Sequence, residues 1–279
     1  METALINKII AFSNVDGPGN RSAIFVQGCP FSCLYCHNPE TIHVCNHCGI
    51  CCTKCPTKSL SMKDGKVVWD KEVCVDCDTC IKVCPNLASP KVQEMSVQDI
   101  IDYIKPHRAF IEGISVSGGE CMLYADFLLE LFMEAKKLNL TCLIDSNGSV
   151  DFEKYNALLD ISDGVMLDVK ASNEDFHNEI CKYSNYIVKK NLDYLQKKKK
   201  LVEVRTVLLP NQDLQNEATV LYVSQHLLEG IPYKLLRYRP YGVRKDGLAY
   251  FGEVEVSEEY AKKVKKIVPS NKHDDIIIV

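Results

Sequence analysis

Three compact sets of cysteines in the first third of the chain are the residues best suited to chemistry. The first set has the spacing CxxxCxxC, and the other two share the spacing CxxCxxCxxxCP. Together they contain 11 of the 15 cysteines: Cys29, Cys33 and Cys36; Cys45, Cys48, Cys51 and Cys55; and Cys74, Cys77, Cys80 and Cys84. In a reducing compartment, such dense spacing indicates metal binding rather than disulfide bonds.

The two four-cysteine sets repeat the pattern of bacterial ferredoxins at an offset of 29 residues (74 minus 45). In that pattern, the fourth cysteine of each run binds the cluster of the other run. The pattern therefore predicts two crossed 4Fe–4S clusters, one on Cys45, Cys48, Cys51 and Cys84 and the other on Cys74, Cys77, Cys80 and Cys55. Four other cysteines are predicted not to bind metal: Cys52, Cys121, Cys142 and Cys181.

The first set is informative because it has only three cysteines. A cubane cluster has four irons, and each iron can take one thiolate. Three thiolates leave one iron without a protein ligand, and that iron can bind a substrate. A structural zinc site is the alternative, and zinc would require a fourth protein ligand, for which His37 is the candidate. Cys29, Cys33 and Cys36 are therefore the predicted catalytic residues.

The composition is that of an ordinary globular protein. The 279 residues are 46% hydrophobic and 25% charged, and the formal charge of −4 indicates no surface for nucleic acid. The basic run Lys197–Lys200 is interpreted as a solvated helix end. Because no long uncharged apolar segment and no signal peptide are recognised, we expect no membrane span and a cytoplasmic location.

Strand and helix patterns alternate after residue 95. The predicted strands, including one that precedes this region, are 21–28, 113–117, 141–145, 164–168, 202–209, 233–238 and 274–279. The predicted helices are 96–104, 124–138, 152–161, 183–199, 217–228 and 257–267. Such alternation implies right-handed crossovers and a parallel sheet. It predicts an α/β fold with a partial (β/α)6 barrel.

The cysteine-rich residues 42–92 are predicted to be a module inserted after the first strand, so the barrel would comprise residues 1–41 and 93–279. The dipeptide Asp64-Gly65 predicts a hairpin turn within this module. About fifty residues with so few apolar runs could hardly bury a core of their own. Metal ligation is therefore expected to supply much of the free energy that folds them.

Polar and glycine residues collect where the predicted strands end. They are Cys29–Cys36, Ser117–Glu120, Asp145–Gly148, Asp168–Lys170 and Arg239, and Arg205 lies within the strand 202–209. In a barrel of parallel strands, the carboxyl ends of the strands form the rim at which active sites assemble. The sequence therefore predicts one site at this rim, next to the three-cysteine loop.

These motifs together resemble those of the radical S-adenosylmethionine (SAM) enzymes, which use CxxxCxxC with an aromatic residue before the last cysteine. The resemblance covers most of the chain. DGPGNR at 16–21, Phe25, Gly28-Cys29 and CHNP at 36–39 look like the signature of the glycyl-radical-enzyme activases, of which pyruvate formate-lyase activating enzyme is the best known. The two-cluster insert, the length and the strand-end motifs are most similar to the YjjW-like activases.

The resemblance implies roles for the residues at the rim. The residues implied to contact SAM are Tyr35, Cys36, His37, Gly118, Gly119, Glu120, Asp168, Val169, Lys170, Arg205 and Arg239. Those implied to bind a monovalent cation are Asp145, Ser146, Met166 and Asp168. Glycines 118 and 119 would leave room for the amino end of SAM, Glu120 would face its ammonium group, and Lys170 its carboxylate. Two positions depart from the family, where Cys121 replaces a proline and Arg239 a histidine.

The implied function is radical activation of a partner enzyme. A flavodoxin or ferredoxin would supply electrons through the two insert clusters to the SAM-binding cluster. Reductive cleavage of SAM would give a 5′-deoxyadenosyl radical, which removes a hydrogen from a backbone glycine of a glycyl radical enzyme. Two alternatives remain: a radical SAM enzyme acting on a small molecule or peptide, and a ferredoxin-type electron carrier.

Overall fold

The computed structural model describes residues 2–279, and a nine-stranded sheet is the frame of this part of the chain. In chain order the strands are β1 Thr3–Ser13, β2 Arg21–Val26, β3 Leu60–Lys63, β4 Lys66–Trp69, β5 Gln93–Ser96, β6 Gly113–Gly118, β7 Thr141–Ser146, β8 Gly164–Asp168, β9 Leu201–Leu208, β10 Tyr233–Arg237 and β11 Ile276–Ile278. Strands β3 and β4 form a separate hairpin, and the other nine belong to the sheet.

Ten α-helices connect and cover these strands within residues 2–279. They are α1 Ile50–Lys54, α2 Thr79–Lys82, α3 Val97–Ile104, α4 Ala125–Lys137, α5 Asn156–Ile161, α6 Glu174–Cys181, α7 Tyr186–Lys197, α8 Asp213–His226, α9 Lys245–Phe251 and α10 Glu258–Lys265. In the described part of the chain, no helix is both long enough and apolar enough to cross a membrane.

The strand order is β5-β1-β2-β6-β7-β8-β9-β10-β11. Neighbouring strands from β2 to β11 are parallel, whereas β1 pairs antiparallel with both β2 and β5. The prediction of an α/β fold with a mostly parallel sheet is therefore confirmed, and all seven predicted strands are present. Strands β1 and β5 and helices α1, α2, α6 and α9 were not predicted from the sequence. Strand β5 is only QEMS, too short and too polar to give a hydrophobic pattern.

Local sequence signals explain where two of the elements begin. Ser96 starts α3 with a capping box, since its Oγ accepts from the backbone N–H of Asp99 and the Asp99 carboxylate accepts from that of Ser96. Asp64 and Gly65 both have positive φ, 50° and 74°, which a two-residue type I′ hairpin turn requires. The predicted helix start and the predicted hairpin are both confirmed.

The motif DGPGNR lies at the amino ends of the parallel strands, whereas the cysteine loop lies at their carboxyl ends. Arg21 is 2% exposed and donates to the carbonyl oxygens of Pro18, Ile114 and Thr141 at 2.7 to 3.1 Å. It also donates to the hydroxyls of Ser115 and Thr141. A guanidinium has five N–H donors in a fixed fork, so this one side chain joins the amino ends of β2, β6 and β7.

Residues 42–92 have a small cluster of buried side chains separate from the main core, formed by Cys51, Leu60, Val67 and Cys80. Gln27 attaches the start of this segment to β2, because its side-chain amide donates to the carbonyls of Glu40 (2.7 Å) and His43 (2.5 Å). The backbone N–H of Cys29 donates to the carbonyl of Ile42 at 3.0 Å. The segment therefore begins directly beside the three-cysteine loop.

Candidate active site

The three-cysteine loop follows β2 at the carboxyl ends of the parallel strands. The end of α6 holds it, since the N–H of Ser32 donates to the carbonyl of Cys181 (2.9 Å) and that of Leu34 to the carbonyl of Ile180 (2.8 Å). Arg244, just before α9, donates to the carbonyl and hydroxyl of Ser32 at 2.7 and 3.1 Å. Two helices that the sequence analysis missed therefore hold the loop in place.

The thiols of this loop differ in how readily they ionise. Cys33 is buried, and Cys29 and Cys36 are half-buried. Burial is the main reason that the pKa of Cys29 is raised and that the pKa of Cys36 rises to about 12. A hydrogen bond with Cys181 lowers the pKa of Cys33 against the effect of burial, and the charge of Lys170 lowers it further. Because metals bind thiolates, loading the site must release protons from Cys29 and Cys36.

Glu120 is held by donors of the chain itself. It is 1% exposed, and Oε1 accepts from the Ser146 hydroxyl (2.9 Å) and the Met122 N–H (3.0 Å). Oε2 accepts from the backbone N–H of Asn147 at 2.7 Å. Burial nevertheless raises the pKa of Glu120 to about 7. The carboxylate thus joins the end of β6 to the end of β7, and its contact with an ammonium group stays a prediction.

Gly118 and Gly119 are required by the backbone of β2 and of the start of the cysteine loop, and their contact with SAM stays a prediction. A Cβ on Gly118 would lie 2.2 Å from the nitrogen of Val26, and one on Gly119 would lie 2.1 Å from the oxygen of Gly28. Gly118 also has φ +119°, which side chains rarely adopt. The missing side chains let β6 pass against β2 and the start of the cysteine loop, whether or not a ligand is near.

Arg205 pairs with two of the residues that the resemblance implies to bind a monovalent cation. Its guanidinium pairs with the carboxylates of Asp145 and Asp168, the latter at 3.0 Å. Asp145 also accepts from the hydroxyl of Ser117 at 2.8 Å. Met166 lies fully buried in β8. Both aspartates are thus neutralised by a side chain of the protein, and a bound monovalent cation stays a prediction.

Lys170 also pairs within the chain. Its Nζ is 3.1 Å from Oδ2 of Asp168 and 5.8 Å from the ring centre of Tyr35. Burial alone would lower the pKa of Lys170, but the charge of Asp168 raises it well above the usual range. Val169 is buried, and its N–H donates to the carbonyl of Arg205 at 2.9 Å. Val169 thus belongs to the hydrophobic core, and its contact with SAM stays a prediction.

Two of the residues predicted to contact SAM, His37 and Arg239, contact each other through the backbone of Arg239. Nε2 of His37 is 2.9 Å from the carbonyl oxygen of Arg239, whose own side chain is exposed. Strand β10 ends at Arg237, so Arg239 lies two residues beyond it rather than at its end. Tyr35 is 4% exposed, and its hydroxyl has no hydrogen-bond partner within residues 2–279. This orphaned polar atom is consistent with a missing ligand.

The cysteines of residues 42–92 line two cavities. One is bordered by Cys45, Cys48, Cys51, Cys80 and Cys84. The other is bordered by Cys55, Cys74, Cys77 and Cys80. Each cavity therefore includes three cysteines of one run and the fourth cysteine of the other, Cys80 borders both cavities, and Cys52 lines neither.

Within residues 2–279, no three His, Cys, Asp or Glu side chains converge on a position for a single metal ion. A cubane cluster distributes its thiolate ligands over different irons, so it does not require such convergence. The two cavities and the loop at the rim fit thiolate-bound clusters by the number and kind of their donors.

Comparison with known proteins shows the family to which the chain belongs. The Radical SAM superfamily profile matches residues 23–223. The chain is 31% identical over 242 residues to the trans-4-hydroxy-L-proline dehydratase activating enzyme of Clostridioides difficile, covering 81% of this chain and 80% of that one. It is 27% identical over 293 aligned positions to the isethionate sulfite-lyase activating enzyme of Nitratidesulfovibrio vulgaris, covering 95% of each. QueE of Escherichia coli has the same fold, with a TM-score of 0.51 at 12% identity over 99% of this chain and 94% of that one.

The chain therefore belongs to the radical SAM superfamily. Within that superfamily, it is a member of the glycyl-radical enzyme activating enzymes. The fold and the position of the cysteine loop agree with this membership. The narrower assignment to the YjjW-like branch stays a prediction.

Proposed function

We propose that this protein uses SAM and a cluster on Cys29, Cys33 and Cys36 to generate a radical on a backbone glycine of a partner enzyme. The observation that carries this is the placement of three thiols on one loop at the same rim as Glu120, Asp145 and the residues following β8. When bound, the cluster supplies the electron that cleaves SAM, and the cleavage product removes the glycine hydrogen. The protein supplies geometry and a site shielded from water.

The residues at the rim divide this task. Glu120 fixes the ends of β6 and β7 relative to each other and carries the negative charge nearest the expected ammonium group. Lys170 and Arg205 supply positive charges, now paired with Asp168, that can turn toward a carboxylate. Lys170 also lies over the ring of Tyr35, whose buried hydroxyl has no partner within residues 2–279 and is available to a ligand. Binding of SAM would thus exchange internal ion pairs for contacts with the ligand.

Residues 42–92 are proposed to hold two further 4Fe–4S clusters that conduct electrons from a flavodoxin or ferredoxin to the rim. Two features support this. The cysteines line two adjacent cavities. The first residue of the segment, Ile42, accepts a backbone hydrogen bond from Cys29 of the catalytic loop. Cys48 and Cys77 are exposed, so each cluster would have a ligand at the surface that a reductant could approach.

Crossed ligation makes a specific prediction for single cysteine variants. Cys84→Ala is expected to lose the cluster that Cys45, Cys48 and Cys51 hold, and Cys55→Ala the cluster of the other run. Each variant should fall from about twelve to about eight iron atoms per chain. Anaerobic iron and sulfide analysis measures this, with Cys52→Ala as the matched control because Cys52 lines neither cavity.

The iron content of double variants decides which cluster is lost. In the Cys84→Ala background, adding Cys74→Ala should remove a second cluster, whereas adding Cys45→Ala should remove no more iron. The reverse pattern would show that each run binds its own cluster and would refute the crossed arrangement.

The function itself is tested by mixing the reduced, cluster-loaded protein with SAM and candidate glycyl radical enzymes under anaerobic conditions. The expected result is a glycyl radical signal in electron paramagnetic resonance (EPR) that requires this protein, SAM and reductant together. Cleavage of SAM with no radical on any candidate partner, but with modification of a small molecule or peptide, would instead favour the alternative substrate class.

A further inference from the structure

Asn147 makes a hydrogen bond to a thiol of the catalytic loop. Its side-chain Nδ2 lies 3.4 Å from Sγ of Cys29, a normal distance for an amide donor and a sulfur acceptor. Asn147 is 7% exposed, so water does not compete strongly for this donor. The sequence analysis included Asn147 in the strand-end motif but gave its side chain no role.

The orientation of this amide is fixed from both ends. The backbone N–H of Ser149 donates to Oδ1 of Asn147 at 2.9 Å, so the carbonyl end of the amide is identified and the NH₂ end must face Cys29. The backbone N–H of Asn147 donates to Oε2 of Glu120 at 2.7 Å. Glu120 therefore holds the backbone from which the Asn147 side chain reaches the sulfur.

An N–H donor at a ligand sulfur favours the reduced state of an iron–sulfur cluster. Reduction adds negative charge to the irons and their thiolates, and a hydrogen bond to sulfur stabilises that charge. The effect is larger in a buried site than in water, because the surroundings screen it less.

We propose that Asn147 is a positioning residue that raises the reduction potential of the cluster on Cys29, Cys33 and Cys36. The proposal rests on the proposed function only in that a cluster occupies this loop. The amide acts through Cys29, the sulfur to which it donates. Its consequence is that electrons delivered at low potential reduce the catalytic cluster more completely.

The test is an anaerobic redox titration of the full-length, three-cluster protein, following the part of the EPR spectrum that changes when SAM is added. Asn147→Asp replaces the donor by an acceptor and keeps the bond from Ser149. The equilibrium constant for one-electron reduction should fall about tenfold or more, which is a shift of about 59 mV downward. Asn147→Ala should shift the potential in the same direction by a smaller amount.

Ser149→Ala is the matched control. Ser149 is buried in the same loop, and its hydroxyl has no partner in the described part of the chain, so its removal should leave the potential unchanged. Asn147 variants at the wild-type potential would overturn the proposal. So would loss of the cluster from both variants while Ser149→Ala keeps it, since Asn147 would then hold the cluster rather than tune it. A wild-type protein without a SAM-responsive cluster would overturn the proposed function as well.

Discussion

Alanine in place of Cys33 is expected to lower the rate of SAM cleavage at least about a thousandfold, the loss of more than 4 kcal/mol of transition-state stabilisation. Cys33 is the middle thiol of the loop, is 7% exposed, and has its pKa lowered by the neighbouring Cys181. With two thiolates left, the loop cannot bind a cubane cluster with a single open iron. The amount of 5′-deoxyadenosine formed with a strong chemical reductant measures the effect.

Two controls make this result interpretable. Cys142→Ala removes another buried thiol, located in β7 and, within residues 2–279, hydrogen-bonded only to the carbonyl of Leu140, and it should keep cleavage within about threefold of wild type. Iron analysis should show that Cys33→Ala keeps the insert clusters. Full SAM cleavage by Cys33→Ala would show that the loop does not bind the catalytic cluster.

The second large effect is expected on stability. Arg205→Met should lower the free energy of unfolding by about 3–5 kcal/mol, because it leaves the carboxylates of Asp145 and Asp168 without their shared cation in a mostly buried site. Lys190→Met is the matched control. Lys190 also bridges two carboxylates, those of Asp151 and Glu153, but it is exposed to solvent, so its loss should lower the stability much less.

Anaerobic urea unfolding of the cluster-loaded variants gives both values, and added potassium separates two explanations of the aspartate pair. If Arg205 neutralises Asp145 and Asp168, potassium should stabilise Arg205→Met and have little effect on the wild type. Equal stabilisation of both proteins would mean that the aspartates bind a cation beside Arg205. A loss no larger than that of Lys190→Met would show that the ion pairs are solvent-screened.

The local features of this chain could be predicted from the sequence. The cysteine spacings are short, so their chemistry is apparent without the fold. The strand-end residues could be grouped because consecutive parallel strands end at one edge. The capping box at Ser96 and the Asp64-Gly65 turn depend only on near neighbours, and both are present.

Contacts between distant segments could not be predicted. Asn147 and Cys29 are 118 residues apart, and nothing in either motif indicates that the amide faces the sulfur. Cys181 was treated as an unremarkable thiol, because α6 gives too weak a pattern to place it behind Cys33. The pairing of Arg205 with both aspartates needs the register of three strands, β7, β8 and β9.

The central claim is that this protein removes a hydrogen from a backbone glycine of a partner enzyme. The most direct measurement uses a partner produced with α-deuterated glycine and follows deuterium by mass spectrometry during radical formation. Deuterium is expected to appear in 5′-deoxyadenosine in proportion to the glycyl radical formed. Radical formation with no deuterium in 5′-deoxyadenosine would contradict it.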